Sequence, residues 1–425
     1  MTMIVIIVAI VMLFSGLALA YVIGSVTVMA FLFSENARYL AILPQKIFSQ
    51  LSVFALLSMP LFILAGEIMN RSGVTRALIN FSMSIVGRFR GGLGHVNILT
   101  SVFFAGISGS AVADAAALTN TLVPAMREQG YTDTYAAAIT AASSIIGPIV
   151  PPSIILIFYG ALMQTSVASL FIAGILPGLL LAAALLVMNG WFAWKHDHPR
   201  TPPGEMLPFG KALVKAAPAL SLPLIIVGGI VMGWMTATEA AAVAVVVALG
   251  ASYFYEGISW KSLLQGIRRT AILTGSIFII LSAITALGYV GALEKLPEAI
   301  AGLITDIGLG PVGYLIALNV LFIIAGMVMD ITVALALLVP LLAPIAIANG
   351  ADPVHLGIVI CFNLTIGLTS PPLGGSLLIV STVSGVNYWR LARAVAPFVI
   401  VELLVLVVLV FVPEISLVLP RAFGL

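Results

Sequence analysis

The chain has 425 residues, 61% of them hydrophobic and 8% charged, with a formal net charge of +2 and a mean hydropathy of +1.21. No soluble core needs so much apolar sequence, and many runs reach or approach the roughly 20 residues that cross a bilayer, so the composition is that of a polytopic all-α membrane protein. The absence of a basic tract gives no sign of nucleic-acid binding. The single cysteine, Cys361, excludes an intrachain disulfide and a cysteine-based metal site.

In chain order, residues 3–33 are apolar and interrupted at Ser15-Gly16. They read as one long helix or two short spans, two being what an inverted topology requires, and no basic stretch precedes them as in a cleaved leader. Arg38 and Lys46 flank a polar link, and 50–69 spans. Residues 74–90 set Arg and Asn among apolar positions at helical spacing, which predicts an interfacial helix. The run from Val96 to Pro124 is broken by Ser108-Gly109-Ser110 and ends at Gly130, which predicts a re-entrant hairpin over about 93–130. Residues 132–163 are broken at Gly147-Pro148-Ile149-Val150-Pro151-Pro152, because proline removes a helix donor and disfavours helical backbone before it. A span at 166–194 and a hydrophilic link at 195–215 follow. Spans are predicted at 217–234, 236–255 and 271–291, with a second interfacial piece at 294–307. A second hairpin covers about 310–350, a second broken helix 353–384, and a last span 395–415.

From Ala105 to Pro177 the chain matches itself at a constant shift of 220 without a gap. Gly106 pairs with Gly326, Pro124 with Pro344, Gly130 with Gly350, Gly147 with Gly367, Pro151-Pro152 with Pro371-Pro372 and Pro177 with Pro397. Chance pairing of 39 Gly and 23 Pro would not align so many. Such duplication, with broken helices in corresponding places, marks a secondary transporter. The repeats are residues 1–194 and 216–425. Five spans and one hairpin per half make an odd number of crossings, so the halves are expected to be inverted. Placing the 195–215 link in the cytoplasm puts fourteen of the 18 Lys and Arg inside and leaves Arg38, Lys46, Lys295 and Arg421 outside. Hairpin one then enters from the cytoplasm and hairpin two from the opposite face.

Each hairpin tip exposes the N-terminus of a returning half-helix, which favours an anion, and each break frees carbonyls, which favour a cation such as Na⁺. Ser108 and Ser110 can cap or ligate, with Gly147, Val150 and Ser153 opposite. The second half offers Gly326, Val328, Thr365, Gly367, Thr369 and Ser370. Two cation sites with a carboxylate-bearing substrate between them are expected. Asp330 stands at the second tip where the first has Ser110 and is read as a site residue, because an acid at membrane depth is costly. Asp114 is read evenly as a site residue or a helix-dipole partner. Glu67, Glu239 and Glu402 are read as structural groups near span ends, and His196 and His198 as charge decoration of the link.

At Ser108-Gly109-Ser110-Ala111-Val112-Ala113-Asp114, Gly147-Pro148-Ile149-Val150-Pro151-Pro152-Ser153 and Gly367-Leu368-Thr369-Ser370-Pro371-Pro372, the chain resembles the large membrane subunit of a tripartite ATP-independent periplasmic (TRAP) transporter over essentially its whole length. The resemblance implies an elevator-type carrier, with a scaffold and a transport domain holding both hairpins and both broken helices, in a bacterial inner membrane. It implies Na⁺-driven uptake of an organic acid. It also implies two partners: a periplasmic substrate-binding protein and a separate small membrane subunit of about four helices. It carries one Na⁺ site to Ser108, Gly147, Val150 and Pro151, and a second to Gly326, Thr365, Thr369 and Pro371. Its substrate contacts fall on Ser110, Ser153 and Asp330. The motif wording is most similar to sialic acid carriers, with C4-dicarboxylate carriers second, since an aspartate at the tip suits a polyhydroxylated acid better than a dianion. A stand-alone Na⁺/carboxylate carrier of the same fold is the alternative. Neither a P-loop nor a nucleophile with a base within reach is present, so neither an ATP-driven pump nor an enzyme is expected.

Overall fold

The structure, a computed structural model, describes residues 7–8, 11–12, 15–33, 37–202, 204, 206–255, 257–295, 299, 302 and 310–425. Among the described residues there are eighteen α-helices and no strand. The first half holds α1 (Leu19–Phe33), α2 (Leu43–Leu51), α3 (Ser58–Arg71), α4 (Val74–Val86), α5 (Gly92–Ser108), α6 (Ala111–Glu128), α7 (Asp133–Ser144), α8 (Ile154–Met163) and α9 (Val167–Lys195). The second holds α10 (Phe209–Val231), α11 (Ala237–Phe254), α12 (Trp260–Leu293), α13 (Pro311–Val328), α14 (Ile331–Ala348), α15 (Pro353–Gly367), α16 (Gly375–Ser384), α17 (Tyr388–Phe411) and α18 (Glu414–Ala422). Among the described residues eight segments are long and apolar enough to cross a membrane, which makes this a multi-pass membrane protein.

The 220-residue shift reappears in the elements. Helix α6 maps onto α14 at both ends, and α5, α7 and α8 map onto α13, α15 and α16 to within a residue at their starts. Both hairpins and both broken helices are therefore formed. The described chain turns at Ser15-Gly16, but much of 3–14 and the expected interfacial piece at 294–307 lie outside the described residues.

Three boundaries differ from the sequence reading. The polar link after α1 is partly helical, because Pro44 opens α2 and its polar residues fall along one side. Helix α12 starts at Trp260 rather than near 271, capped by Ser259, whose side chain accepts from Ser262 N. The link between the halves is short, because α10 already begins at Phe209.

Helix α3 packs on α11 and α12, α4 on α5 and α10, and α17 on α7. The halves interlock where α8 meets α15: Tyr159 donates to Pro353 O at 2.9 Å and lies against Gly357. Hairpin one is held to α7 by buried hydrogen bonds, Asn97 to Thr140 at 2.6 Å and Ser101 to Ser143 at 3.0 Å, the usual polar glue between apolar helices.

Candidate functional site

Helix α5 stops at Ser108 because Gly109 takes left-handed backbone, φ +59°. A side chain there would also meet Pro152 O at 2.6 Å, so the tip is pressed onto the break of its own half. Ser110 returns to extended backbone and caps α6, its side chain accepting from Ala113 N at 3.5 Å. Ser108 donates its hydroxyl to Asp114 Oδ1. Asp114 is fully buried, and its Oδ2 has no hydrogen-bond partner. That oxygen lies where a Cβ on Gly147 would stand, so the glycine brings the break up to the carboxylate.

The first break runs from the end of α7 to Ser153. Gly147 N donates to Ser144 O at 3.2 Å and Val150 N to Ile146 O at 3.1 Å. The carbonyls of Gly147, Val150 and Pro151 accept nothing among the described residues. Ser108 Oγ and Asp114 Oδ2 lie beside Gly147 of this break, so every free donor named here is an oxygen. Such a set suits a hard cation like Na⁺ and not a transition metal. Ser153 is fully buried. It caps α8, accepting from Leu156 N at 3.3 Å and donating to Pro148 O.

The second half repeats the plan with other residues. Asp330 caps α14, accepting from Thr332 N at 2.8 Å. Gly326 and Gly367 pack backbone to backbone, and Leu373 N donates to Met327 O at 3.2 Å, so this tip also rests on its own break. The carbonyls of Gly326, Thr369 and Pro371 accept no hydrogen bond among the described residues, whereas Thr365 O accepts from Leu368 N at 3.1 Å. The Thr365 hydroxyl donates to Phe362 O at 2.6 Å. Thr369 Oγ1 stands 3.0 Å from Glu402 Oε2. The free groups here are again oxygens, the hard-donor type.

The tips meet in one cavity of about 400 Å³, within the roughly 300–1,000 Å³ of small-molecule sites. Ser108, Ser110 and Asp330 line it, together with Pro148 and Leu368 from the two breaks. Gly147, Val150, Pro151, Ser153, Gly326, Thr365, Thr369 and Pro371 are not on its wall. The tips thus bring together Ser110 and Asp330 of the expected substrate contacts on one wall, whereas Ser108 is the one expected cation ligand that reaches it.

The rest of the wall belongs to α3 and α12, through Ile63, Gly66, Glu67, Asn70, Arg269, Leu273, Ser276, Ile277 and Ile280. Sequence reading missed this wall. Glu67 bridges two guanidinium groups, Arg71 Nε and Arg269 Nε, each at 3.1 Å, and Arg269 is the one basic residue among the described residues of the wall. Nothing in one dimension pairs Glu67 with an arginine two hundred residues away. Glu402 is also relocated: α17 runs Tyr388–Phe411, so this acid sits in mid-helix, fully buried, and not near a span end. The signal available was a lone acid inside an apolar run. Glu239 forms a capping box with Thr236, a structural role.

The link is more than decoration. His198 packs on Tyr131 and Tyr135 with ring centroids 4.9 and 4.4 Å apart, and Pro199 O accepts from Gly91 N at 3.1 Å. Burial, aided by the neighbouring His196, pushes the His198 imidazole down to about 4.

Comparison with known proteins places this geometry. The family described as "Tripartite ATP-independent periplasmic transporter, DctM component" matches residues 6–415. The sialic acid TRAP transporter large permease protein SiaM of Vibrio cholerae is 37% identical over 97% of this chain and 96% of its own length. The C4-dicarboxylate TRAP transporter large permease protein DctM of Pseudomonas aeruginosa is 35% identical over 95% and 93%. The solved YdaH transporter of Alcanivorax borkumensis shares the fold, with a TM-score of 0.58 at 13% identity over 92% of this chain and 89% of that one. The paired tips, the paired breaks and the family match over nearly the whole length lead to one conclusion: the chain belongs to the tripartite ATP-independent periplasmic transporter family, as its DctM component, the large permease subunit of a secondary transporter.

Proposed function

We propose that this permease imports an organic acid with Na⁺ across a bacterial inner membrane, and that the acid is sialic acid (N-acetylneuraminate). The observation that carries the reading is the shared cavity with unlike tips, Ser110 on one side and Asp330 on the other. The N-termini of α6 and α14 both open there, so free backbone N–H groups and the positive dipole ends can hold a carboxylate. Asp330 accepts hydroxyl hydrogen bonds from a polyol and repels a second carboxylate, which favours a sugar acid over a C4-dicarboxylate.

Bound Na⁺ would supply positive charge at the breaks, next to Ser108, Gly147, Val150 and Pro151 in one half and Gly326, Thr365, Thr369 and Pro371 in the other. Ser108 and Asp114 are bonded to each other within tip one, and the tip rests on its break where Gly109 meets Pro152 O and Asp114 Oδ2 meets Gly147. Because each tip is fastened to the break of its own half, the hairpins and broken helices move most easily as one body. The cavity lies between that body and the α3/α12 wall, a geometry that supports an elevator in which the tips slide along α3 and α12. We further propose a periplasmic binding protein that delivers substrate and a separate small membrane subunit that packs on the scaffold.

Reconstitution of the complex into liposomes tests each element. Uptake of labelled sialic acid should require both an inward Na⁺ gradient and the loaded binding protein. Uptake driven by a proton gradient alone would refute the Na⁺ reading. Uptake by the permease without a binding protein would refute the three-part assembly. Succinate uptake without sialic acid uptake would move the substrate to the dicarboxylate class.

A further inference from the structure

Glu402 is a second buried acid, beside the second break. It lies in the middle of α17 with no exposure, in the apolar cluster that includes Ile366, Phe398 and Val405. No Lys or Arg pairs with it among the described residues. Its Oε1 has no hydrogen-bond partner. Its Oε2 faces Thr369 Oγ1 at 3.0 Å, but that hydroxyl is also 2.9 Å from Ile366 O and has one proton to give. A carboxylate so placed is under-satisfied on both oxygens, and a buried charge persists only where something neutralises it.

Asp114 is in the same condition at the first break: fully buried, one oxygen held by a site hydroxyl, the other free. The two acids are not copies of one another. At the shift of 220, Asp114 falls on Ala334 and Glu402 falls on Ala182. One acid comes from the hairpin and the other from the helix that follows the broken span, yet each reaches a hydroxyl of its own half's cation-type donor set.

We infer that Glu402 supplies to the second break the carboxylate that Asp114 supplies to the first, so that each cation site holds one buried negative charge although the two acids occupy non-equivalent positions of the duplication. The inference rests on the Na⁺ reading above. Ligand charge sets the affinity of an oxygen site for a hard cation. Site two without Glu402 would have only neutral oxygens: the Thr369 hydroxyl and the carbonyls of Gly326, Thr369 and Pro371.

The test is a Na⁺ titration of the purified complex by thermal unfolding and calorimetry, with choline chloride as the ionic-strength control. Wild type should show Na⁺-specific stabilisation with two binding events. Glu402→Gln keeps the shape and removes the charge, and should weaken one of the two events on the order of tenfold or more. Asp114→Asn should weaken the other. In choline, Glu402→Gln should unfold no earlier than wild type, because an uncompensated buried charge has been removed. A merely structural carboxylate would instead lower the unfolding temperature and leave Na⁺ binding untouched. Glu402→Met, of similar volume, guards against a folding defect peculiar to glutamine. If both variants bind Na⁺ like wild type, Glu402 is not the site-two charge. If wild type shows no Na⁺-specific event, the Na⁺ reading fails, and this assignment with it.

Discussion

Gly147→Ala is the sharpest perturbation of the first break. The added carbon would run into Asp114 Oδ2 and stand 3.3 Å from Ser144 O. Asp114 cannot swing away freely, because it is fully buried and bonded to Ser108. Either the Ser108–Asp114 bond is lost or the break shifts away from the tip. A hydrogen bond to a charged group is worth about 1.5–3 kcal/mol, and overpacking of this kind costs about 1–3 kcal/mol. If that strain is borne by the cation-competent arrangement, the half-saturating Na⁺ concentration for uptake should rise about 10- to 100-fold, at 1.4 kcal/mol per tenfold. Substrate uptake at saturating Na⁺ should fall far less. The assay is initial uptake rate in liposomes across a Na⁺ series, with thermal unfolding in choline to gauge the general loss of stability. An unchanged half-saturating Na⁺, together with a lowered unfolding temperature, would show that the glycine serves packing alone and would refute the first cation site.

Three further outcomes are expected. Asp330→Ser makes the second tip like the first, keeping the helix cap, which costs about 1 kcal/mol when lost altogether, while removing the charge; sialic acid uptake should fall at least about tenfold, the loss of one or two hydrogen bonds, and wild-type rates would remove Asp330 from the site. Arg269→Gln strips the α3/α12 wall of its guanidinium; uptake should slow and its dependence on ionic strength flatten, since the wall would no longer attract an anion, whereas an unaltered salt profile would leave Arg269 as a brace for Glu67. His198 is held neutral by burial, its folded value of about 4 lying below the ordinary 6.5. Its stabilising contribution is therefore full above pH 6.5 and is lost as pH falls toward 4. His198→Gln should flatten the acid side of the unfolding-temperature profile in that window, and a profile identical to wild type would refute the link's packed role.

The large features were legible because they are written in local chemistry. Glycine and proline break helices wherever they fall, so Gly109, Gly147 and the two Pro-Pro pairs announced the tips and breaks. Their register at 220 announced that there are two of each. Ser110 and Asp330 were legible as caps for the same reason: a short polar side chain before a helical run satisfies free N–H groups in any setting. Ser153 shows the limit of that signal: it too precedes a helix, but it caps α8 off the cavity wall, and sequence cannot tell a capping residue on that wall from one beside it.

What escaped was decided by distance. The α3/α12 wall is assembled from segments two hundred residues apart, so Glu67 read as a structural group near a span end and Arg269 as one more positive charge on the cytoplasmic side until packing joined them. Asp114 read evenly as a dipole partner because burial is a tertiary property; only the approach of Gly147 leaves its second oxygen enclosed and unpaired. Glu402 read as a structural group because its complete burial against Thr369 is likewise a tertiary property. Sequence alone determined the membrane class, the duplication, and the places where helices must break, because backbone sterics and the cost of apolar surface act residue by residue. Tertiary structure alone decided which oxygens face one another and which acids are left without a partner, because burial and hydrogen-bond satisfaction depend on neighbours supplied by distant parts of the chain.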